Sequence, residues 1–492
     1  MNWNGISLLK RVKGLFGKND VKRAFGVEPA VTGNMTEQVG LWCAMYENSA
    51  PWLGGRTKSL NLPAAVASEL ARLVTLELKT KVAGSARADF LHAQYAPVAD
   101  GLRRWVELGC AKGGLVMKPY VANGKIAVDY VQADCFVPTA FDSSGNITGA
   151  VFADQIKRGG RIFTRLEYHQ LADGMYTVRN AAFSGGGKGA LGAAVPLSSV
   201  AEWAGLETKT VMANIERPLF SYFRPPQANT ADAYSPLGCS VYARAVDLIK
   251  EADRQYSRLL WEFESGERAV YVSDLAFKKG ADGKPILPDR RLYRTLAVDD
   301  AGHKMFEDWS PQFRDAGLQN GLNVLLRKIE YNCGLAYGTL SDVQDVDKTA
   351  EEIRSSKQRS YSTVCDLQKA LKTALEELVG AMDVLCTLYG LCPEGDYAVS
   401  FEFDDSIVAD RRAEFAEKQQ LVAAGIMQPW EFRMWYFGET EEQAKAACAP
   451  LAAETGAPED AEQPSGGMKE NEAAPENGAR KQSVSGETDR MK

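Results

Sequence analysis

Near the N-terminus, apolar residues recur at helical spacing. Ile6, Leu8, Leu9, Val12, Leu15 and Phe16 stand among Lys10, Arg11, Lys13 and Lys18, which predicts a short basic amphipathic helix for packing on the protein's own body or on a membrane surface. Val66, Leu70, Leu73, Val74 and Leu78 predict a helix over 64–80. Phe90, Leu91, Tyr95, Leu102, Trp105, Val106 and Leu108 predict another over 88–110, stopped by Gly109 and Gly113. Alternation then replaces the helical period. Residues 115–117 and 126–128 flank Asn123-Gly124, a pair suited to the positive φ angles of a tight hairpin. Further strands are expected at 150–156, 161–169 and 175–179, turned at Gly159-Gly160 and Asp173-Gly174, so that an antiparallel meander results.

The helical period returns in the second half. Ser235-Pro236 opens a predicted helix carrying Leu237, Val241, Val246, Leu248, Ile249, Ala252, Tyr256, Leu259, Leu260 and Phe263 to about residue 264. Ser310-Pro311 opens a second, with Leu318, Leu322, Leu325, Leu326, Ile329 and Cys333 on one face and a stop at Gly334. Between them, strand-like runs at 269–272 and 292–296 surround Gly280 and Asp282-Gly283. A polar, acidic connection over 337–348 leads to Thr349-Ala350-Glu351-Glu352, a capping box. Beyond it, Val364, Leu367, Leu371, Leu375, Leu378, Met382 and Leu385 stripe a helix reaching Leu388, with a kink expected in the polar stretch 355–362. A strand at 397–403 precedes short helices capped at Asp410, started at Pro429 and boxed by Thr440 and Gln443; the polar tail past Pro450 reads as disordered.

With 45% hydrophobic and 25% charged residues, this is globular composition without an apolar run long enough to span a membrane and without a secretory leader, which reads as a soluble cytoplasmic chain. The net charge of −7 argues against a protein that coats duplex DNA, though an acidic wall would let DNA slide past. Nine scattered cysteines read as reduced thiols, and three histidines without ligand spacing leave no metal site. Ser184-Gly185-Gly186-Gly187-Lys188-Gly189 invites a phosphate-loop reading, but position 182 is Ala and Lys188 is followed by Gly instead of Ser or Thr. Glu402, Asp404 and Asp405 end a strand, where a solvated turn is the commoner use of such residues. No catalytic constellation and no cofactor motif emerges.

The order of elements, together with Ser235-Pro236-Leu237-Gly238, Asp253 followed by Tyr256 and Glu262, Gly334-Leu335, Lys348-Thr349-Ala350-Glu351-Glu352-Ile353 with Tyr361, and Gly425-Ile426, resembles the portal family of tailed bacteriophages, in particular long-tailed phages of Gram-positive hosts. The resemblance covers about residues 30–445. It implies an α+β portal fold: an α/β wing (1–235), a two-helix stem (236–265 and 311–335), a small α/β clip (266–310), a tunnel loop (336–348), a long kinked wing helix with a strand (349–404), a helical crown (405–449) and a disordered tail (450–492). It also implies a non-enzymatic protein without cofactor or metal. Family members form a ring, commonly a dodecamer, at one capsid vertex of the virion after assembly in the host cytoplasm, and they contact passing double-stranded DNA, the terminase large subunit, a head-tail adaptor, and major capsid and scaffolding proteins.

By that resemblance Ser341, Asp342, Gln344, Asp345, Asp347 and Lys348 belong to the tunnel loop. Lys278, Lys279, Lys284, Arg290 and Arg291 would meet terminase or adaptor at the clip. Leu248, Tyr256, Gly317, Gly321, Leu322 and Leu325 would pack the stem, the two glycines admitting close helix approach. Solvated basic and acidic loops are the plain alternative for the first two groups. Another phage head component, such as a head-tail adaptor or scaffold-associated protein, and an enzyme acting on nucleic acid are the competing functions.

Overall fold

The computed structural model describes residues 18–76, 78–185, 191–273, 277–281, 284–288, 292–296, 306–342, 350–403 and 411–454. The chain forms two compact units, Met1–Val408 and Ala409–Lys492. The first begins with helices α1 (Lys18–Phe25), α2 (Gly33–Tyr46) and α3 (Leu62–Thr75), then strand β1 (Lys79–Ala83), α4 (Ala86–Asp100) and α5 (Leu102–Lys112). The expected 64–80 helix therefore stops early, because residues 79–83 are drawn into antiparallel pairing with a strand near the end of the unit. The expected 88–110 helix is two helices. Pro97 removes an amide donor and Gly101 closes the first with a bond to the Pro97 carbonyl (3.3 Å).

Strands β2 (Leu115–Ala122) and β3 (Lys125–Gln132) form the expected hairpin, with Asn123 at φ 53° and Gly124 at φ 72°. The meander follows as β4 (Phe136–Phe141), β5 (Ile147–Arg158), β6 (Arg161–Ala172) and β7 (Met175–Gly185), with β8 (Ala193–Val195) and β9 (Lys209–Ala213) both paired to β7. The glycine run after Gly185 lies outside the described residues. Strand β10 (Ser221–Phe223) returns to pair with β2. The small sheet and the meander are bolted by a buried charge network. Lys118 on β2 donates to Glu167 on β6 (2.6 Å), which also meets Arg165 (3.2 Å) and His169 (2.8 Å). Burial pushes the Glu167 carboxyl up, but Lys118, Arg165 and His169 outweigh it and hold the group well below the usual carboxylate range.

Residues 235–242 are turned, not helical, and α6 runs only from Val246 to Ser265. The reason is tertiary. At residues 236–240 the backbone is gripped from the side: Gly238 N–H donates to the Tyr222 hydroxyl (3.1 Å), which donates to the Gly113 carbonyl (3.2 Å), while Arg224 donates to the Pro236 carbonyl (3.3 Å). Gly113 sits at φ +88°, and a Cβ there would lie 2.7 Å from the Gly238 carbonyl oxygen; a Cβ on Gly238 would lie 2.5 Å from that of Gly113. Two backbones cross here with no room for a side chain.

The insert holds β11 (Ala269–Ser273), paired parallel with β12 (Tyr293–Leu296) and antiparallel with β13 (Phe306–Trp309), the last not anticipated from sequence. Helix α7 spans Asp315–Cys333, again starting later than its Ser-Pro signal, and ends at Gly334 with φ +71°. Helix α8 (Ala350–Leu388) is one continuous helical element with about 58 Å of rise. Its predicted stripe, Val364 to Leu385, is buried throughout; Val364 to Met382 form the spine of the main core with residues from α2 to α7, and Leu385 packs with Tyr176, Ile215 and Leu219. Buried Arg87 on α4 locks onto it through Asp383 (2.6 Å) and Thr387 (2.5 Å). Strand β14 (Ala398–Glu402) completes the pair with β1.

The second unit contains α9 (Arg411–Ala423), α10 (Pro429–Phe437) and α11 (Glu441–Glu454). Phe415 packs edge-on to Phe432 and Tyr436, and the expected Thr440/Gln443 box forms in both directions (3.2 and 3.4 Å). The N-terminal basic segment, the Thr349 box, Asp404, Asp405, Asp410 and the tail past residue 454 lie outside the described residues.

Substituting Gly113→Ala is expected to destabilise by about 2 kcal/mol or more, since left-handed strain of about 1–2 kcal/mol adds to a backbone clash. Gly124→Ala, also at positive φ but with open space around it, should cost only the strain. Urea titration of both variants checks the difference.

Candidate functional site

Helices α6 and α7 run antiparallel and frame the insert, so what fixes them determines where the insert sits. On α6, the buried Asp253 carboxylate accepts from the Trp52 indole (2.9 Å) and the Leu60 amide (2.9 Å). One turn on, the Ser257 hydroxyl accepts from the Lys58 amide (2.8 Å) and donates to the Asp253 carbonyl (2.7 Å). The loop before α3 therefore grips the middle of α6. At its far end, Glu262 Oε1 accepts from the Arg314 amide (3.0 Å) and Nε (3.1 Å), and Oε2 from Nη2 (2.6 Å). The bonds from the Arg314 side chain, then its amide, draw the Glu262 pKa down to about 2. Because that amide is already held by Glu262, the chain needs no Ser310 cap, and α7 starts at Asp315.

Of the expected stem positions, Leu248, Leu322 and Leu325 are half-buried against the main core, and Tyr256 is half-buried. Gly321 faces Gln255, whose Nε2 would lie 3.3 Å from an added Cβ, while Nε2 itself donates to the Leu318 carbonyl (3.1 Å). Within the chain nothing lies within 4 Å of the Gly317 Cβ position. Gly317 lines a hollow of about 330 Å³ with Arg258, Trp261, Glu262, Arg314 and Leu318. Beside it the pair presents large apolar side chains to solvent, with Trp261 64%, Val324 50% and Phe313 46% exposed.

In the insert, Lys278, Lys279 and Lys284 are all exposed and share one small turn, closed by Gly280 N–H to the Lys284 carbonyl (2.8 Å) and Ile286 N–H to the Lys278 carbonyl (2.8 Å). Arg290 and Arg291 lie outside the described residues. At the root of the insert Arg268 forks onto Asp308 (2.9 and 3.1 Å), a pair not singled out from sequence.

In the acidic connection, Ser341 is buried and donates to Glu330 Oε2 (2.9 Å), whereas the Asp342 side chain is exposed. Gln344, Asp345, Asp347 and Lys348 lie outside the described residues. Sequence reasoning missed the α7 residues that hold this segment, Asn323 and Glu330. Both are buried. The available signal was their position seven residues apart, next to the apolar stripe of Leu322, Leu326 and Ile329.

Among the described residues there is no cluster of side chains suited to hold a metal ion, and no helix is long and apolar enough to cross a membrane. All nine cysteines are free; burial pushes the thiols of Cys110 and Cys333 up to about 12. No curated protein matches the chain in sequence. The model of the family described as phage portal protein, SPP1 Gp6-like, matches residues 94–450, which is most of the length and includes α6, the insert, α7 and α8. With a match of that extent over the paired helices and their insert, the chain belongs to the SPP1 Gp6-like family of phage portal proteins.

Proposed function

We propose that this chain assembles into a closed homo-oligomeric ring, of the dodecameric kind, at one vertex of the capsid, and that double-stranded DNA passes through its centre during packaging and ejection. In this reading α6 and α7 are the stem and the insert is the clip. Residues up to 235 with α8 and β14 form the wing, residues 336–348 the tunnel loop, and α9 to α11 the crown. The clip docks the terminase large subunit during packaging and a head-tail adaptor afterwards, while capsid and scaffolding proteins surround the wing. The role is mechanical and needs no cofactor.

The observation that carries the reading is the set of large apolar side chains exposed on and next to α6 and α7 within a chain of this family. Trp261, Val324 and Phe313 stand in solvent, although apolar groups of that size are worth roughly 1.5–3 kcal/mol each when covered. Repeating such a pair around an axis lets one subunit's exposed face cover the next, a heterologous contact that closes into a ring. The acidic balance of the chain, −7, suits a conduit. A wall that repels phosphate avoids the tight, counterion-driven binding that would stall DNA.

Negative-stain microscopy of the purified full-length chain is expected to show annular particles with a central hole; discrete monomers with nuclease or ATPase activity would overturn the proposal. Deletion of residues 343–347 should leave the rings and abolish most DNA packaging, read as DNA protected from nuclease. The triple charge reversal Lys278→Glu, Lys279→Glu, Lys284→Glu should also leave the rings but weaken binding to the terminase large subunit by about tenfold or more, mostly through slower association.

A further inference from the structure

After α7 ends at Gly334 the chain does not depart from the helix end. It folds back along α7. Glu330, wholly buried, gathers the returning segment: its Oε1 accepts the amides of Gly338 (3.1 Å), Leu340 (2.6 Å) and Ser341 (2.8 Å), and its Oε2 accepts the Ser341 hydroxyl (2.9 Å). Two turns earlier on the same face, Asn323 closes a reciprocal pair with the backbone of Asp342, accepting its amide (2.9 Å) and donating to its carbonyl (3.1 Å). Seven residues separate the two, about 10 Å along the helix. Residues 338–342 therefore lie along α7 as far as its middle. Gly338, at φ +88°, makes the reversal possible, and Gly334 presses against α8, where an added Cβ would lie 2.3 Å from the Thr363 hydroxyl.

We infer that Asn323 and Glu330 are positioning residues which fix residues 338–342 along α7 and so set the height at which the chain enters the acidic connection. The inference rests on the reading of that segment as the channel loop. Two features argue for placement over mere packing. An apolar pair at these positions would serve a helix core as well, yet the chain spends a buried carboxylate and a buried amide there. Moreover, among the described residues their side-chain bonds all go to the backbone or hydroxyl of residues 338–342, so this bonding capacity is directed at the root of the segment.

The test uses full-length protein. In Asn323→Leu, two backbone groups of Asp342 lose their partners, so amide exchange at residues 340–342 is expected to accelerate about tenfold or more, the fold-change that one or two lost hydrogen bonds give. Rings should persist with an unchanged melting midpoint, and nuclease-protected linear double-stranded DNA in heads carrying the variant should fall several-fold. Glu330→Gln keeps an acceptor for the three amides, and its new NH2 can donate to the Ser341 hydroxyl, so it should package near the parental level. Faster exchange with parental packaging, or loss of rings in Asn323→Leu, would overturn the inference. If the unsubstituted chain forms no rings, the channel reading fails, and exchange at 340–342 still reports whether Asn323 holds the segment.

Discussion

Two antiparallel helices joined by an insert can place that insert reproducibly only if sliding along their common axis is blocked. In this chain α6 and α7 are blocked at several heights by polar groups whose lone pairs are filled. Asp253 ties α6 to the loop before α3, and Glu262 ties its end to the first residue before α7. Gln255 stitches the pair between them. The directionality of these bonds matters more than their energy. Arg314 is mostly exposed, so its pairing with Glu262 is screened by water, but a carboxylate that receives an amide and a guanidinium edge together tolerates little displacement.

Between the β2–β3 hairpin and the meander the same chemistry works under different conditions. Lys118, Glu167, Arg165 and His169 are withdrawn from solvent, where removing one partner would strand another charge. Burial lowers the His169 pKa, outweighing the Glu167 bond that raises it, and the ring bridges Glu167 and Tyr176 by hydrogen bonds (2.8 and 2.7 Å). The first unit is therefore held by apolar packing around α8 and by a buried polar bolt.

Elements with strong local signals were legible from sequence. The α8 stripe is buried as its spacing predicts, and the Asn123-Gly124, Gly159-Gly160 and Asp173-Gly174 turns all take positive φ. Helix α2 escaped because Met35, Val39, Trp42, Cys43, Ala44 and Met45 are buried around much of its circumference, leaving no polar contrast to read. The starts of α6 and α7 were misplaced because Ser-Pro marks a turn as readily as a helix entry; the choice is made by Tyr222, Arg224 and Glu262, which are distant in sequence. The candidate site was legible in the same uneven way. Exposed lysines in the insert announce themselves. Asn323 and Glu330 gain their meaning only when the chain has folded back over them.

The crossing of Gly113 and Gly238 bears on how such a protein can diverge. Most of the apolar core can exchange one residue for another of similar volume. At a point where two main chains touch, no repacking of neighbours creates space for a side chain, so change has to pass around it. A short string such as Ser235-Pro236-Leu237-Gly238 is then held by main-chain geometry while its surroundings are free to repack.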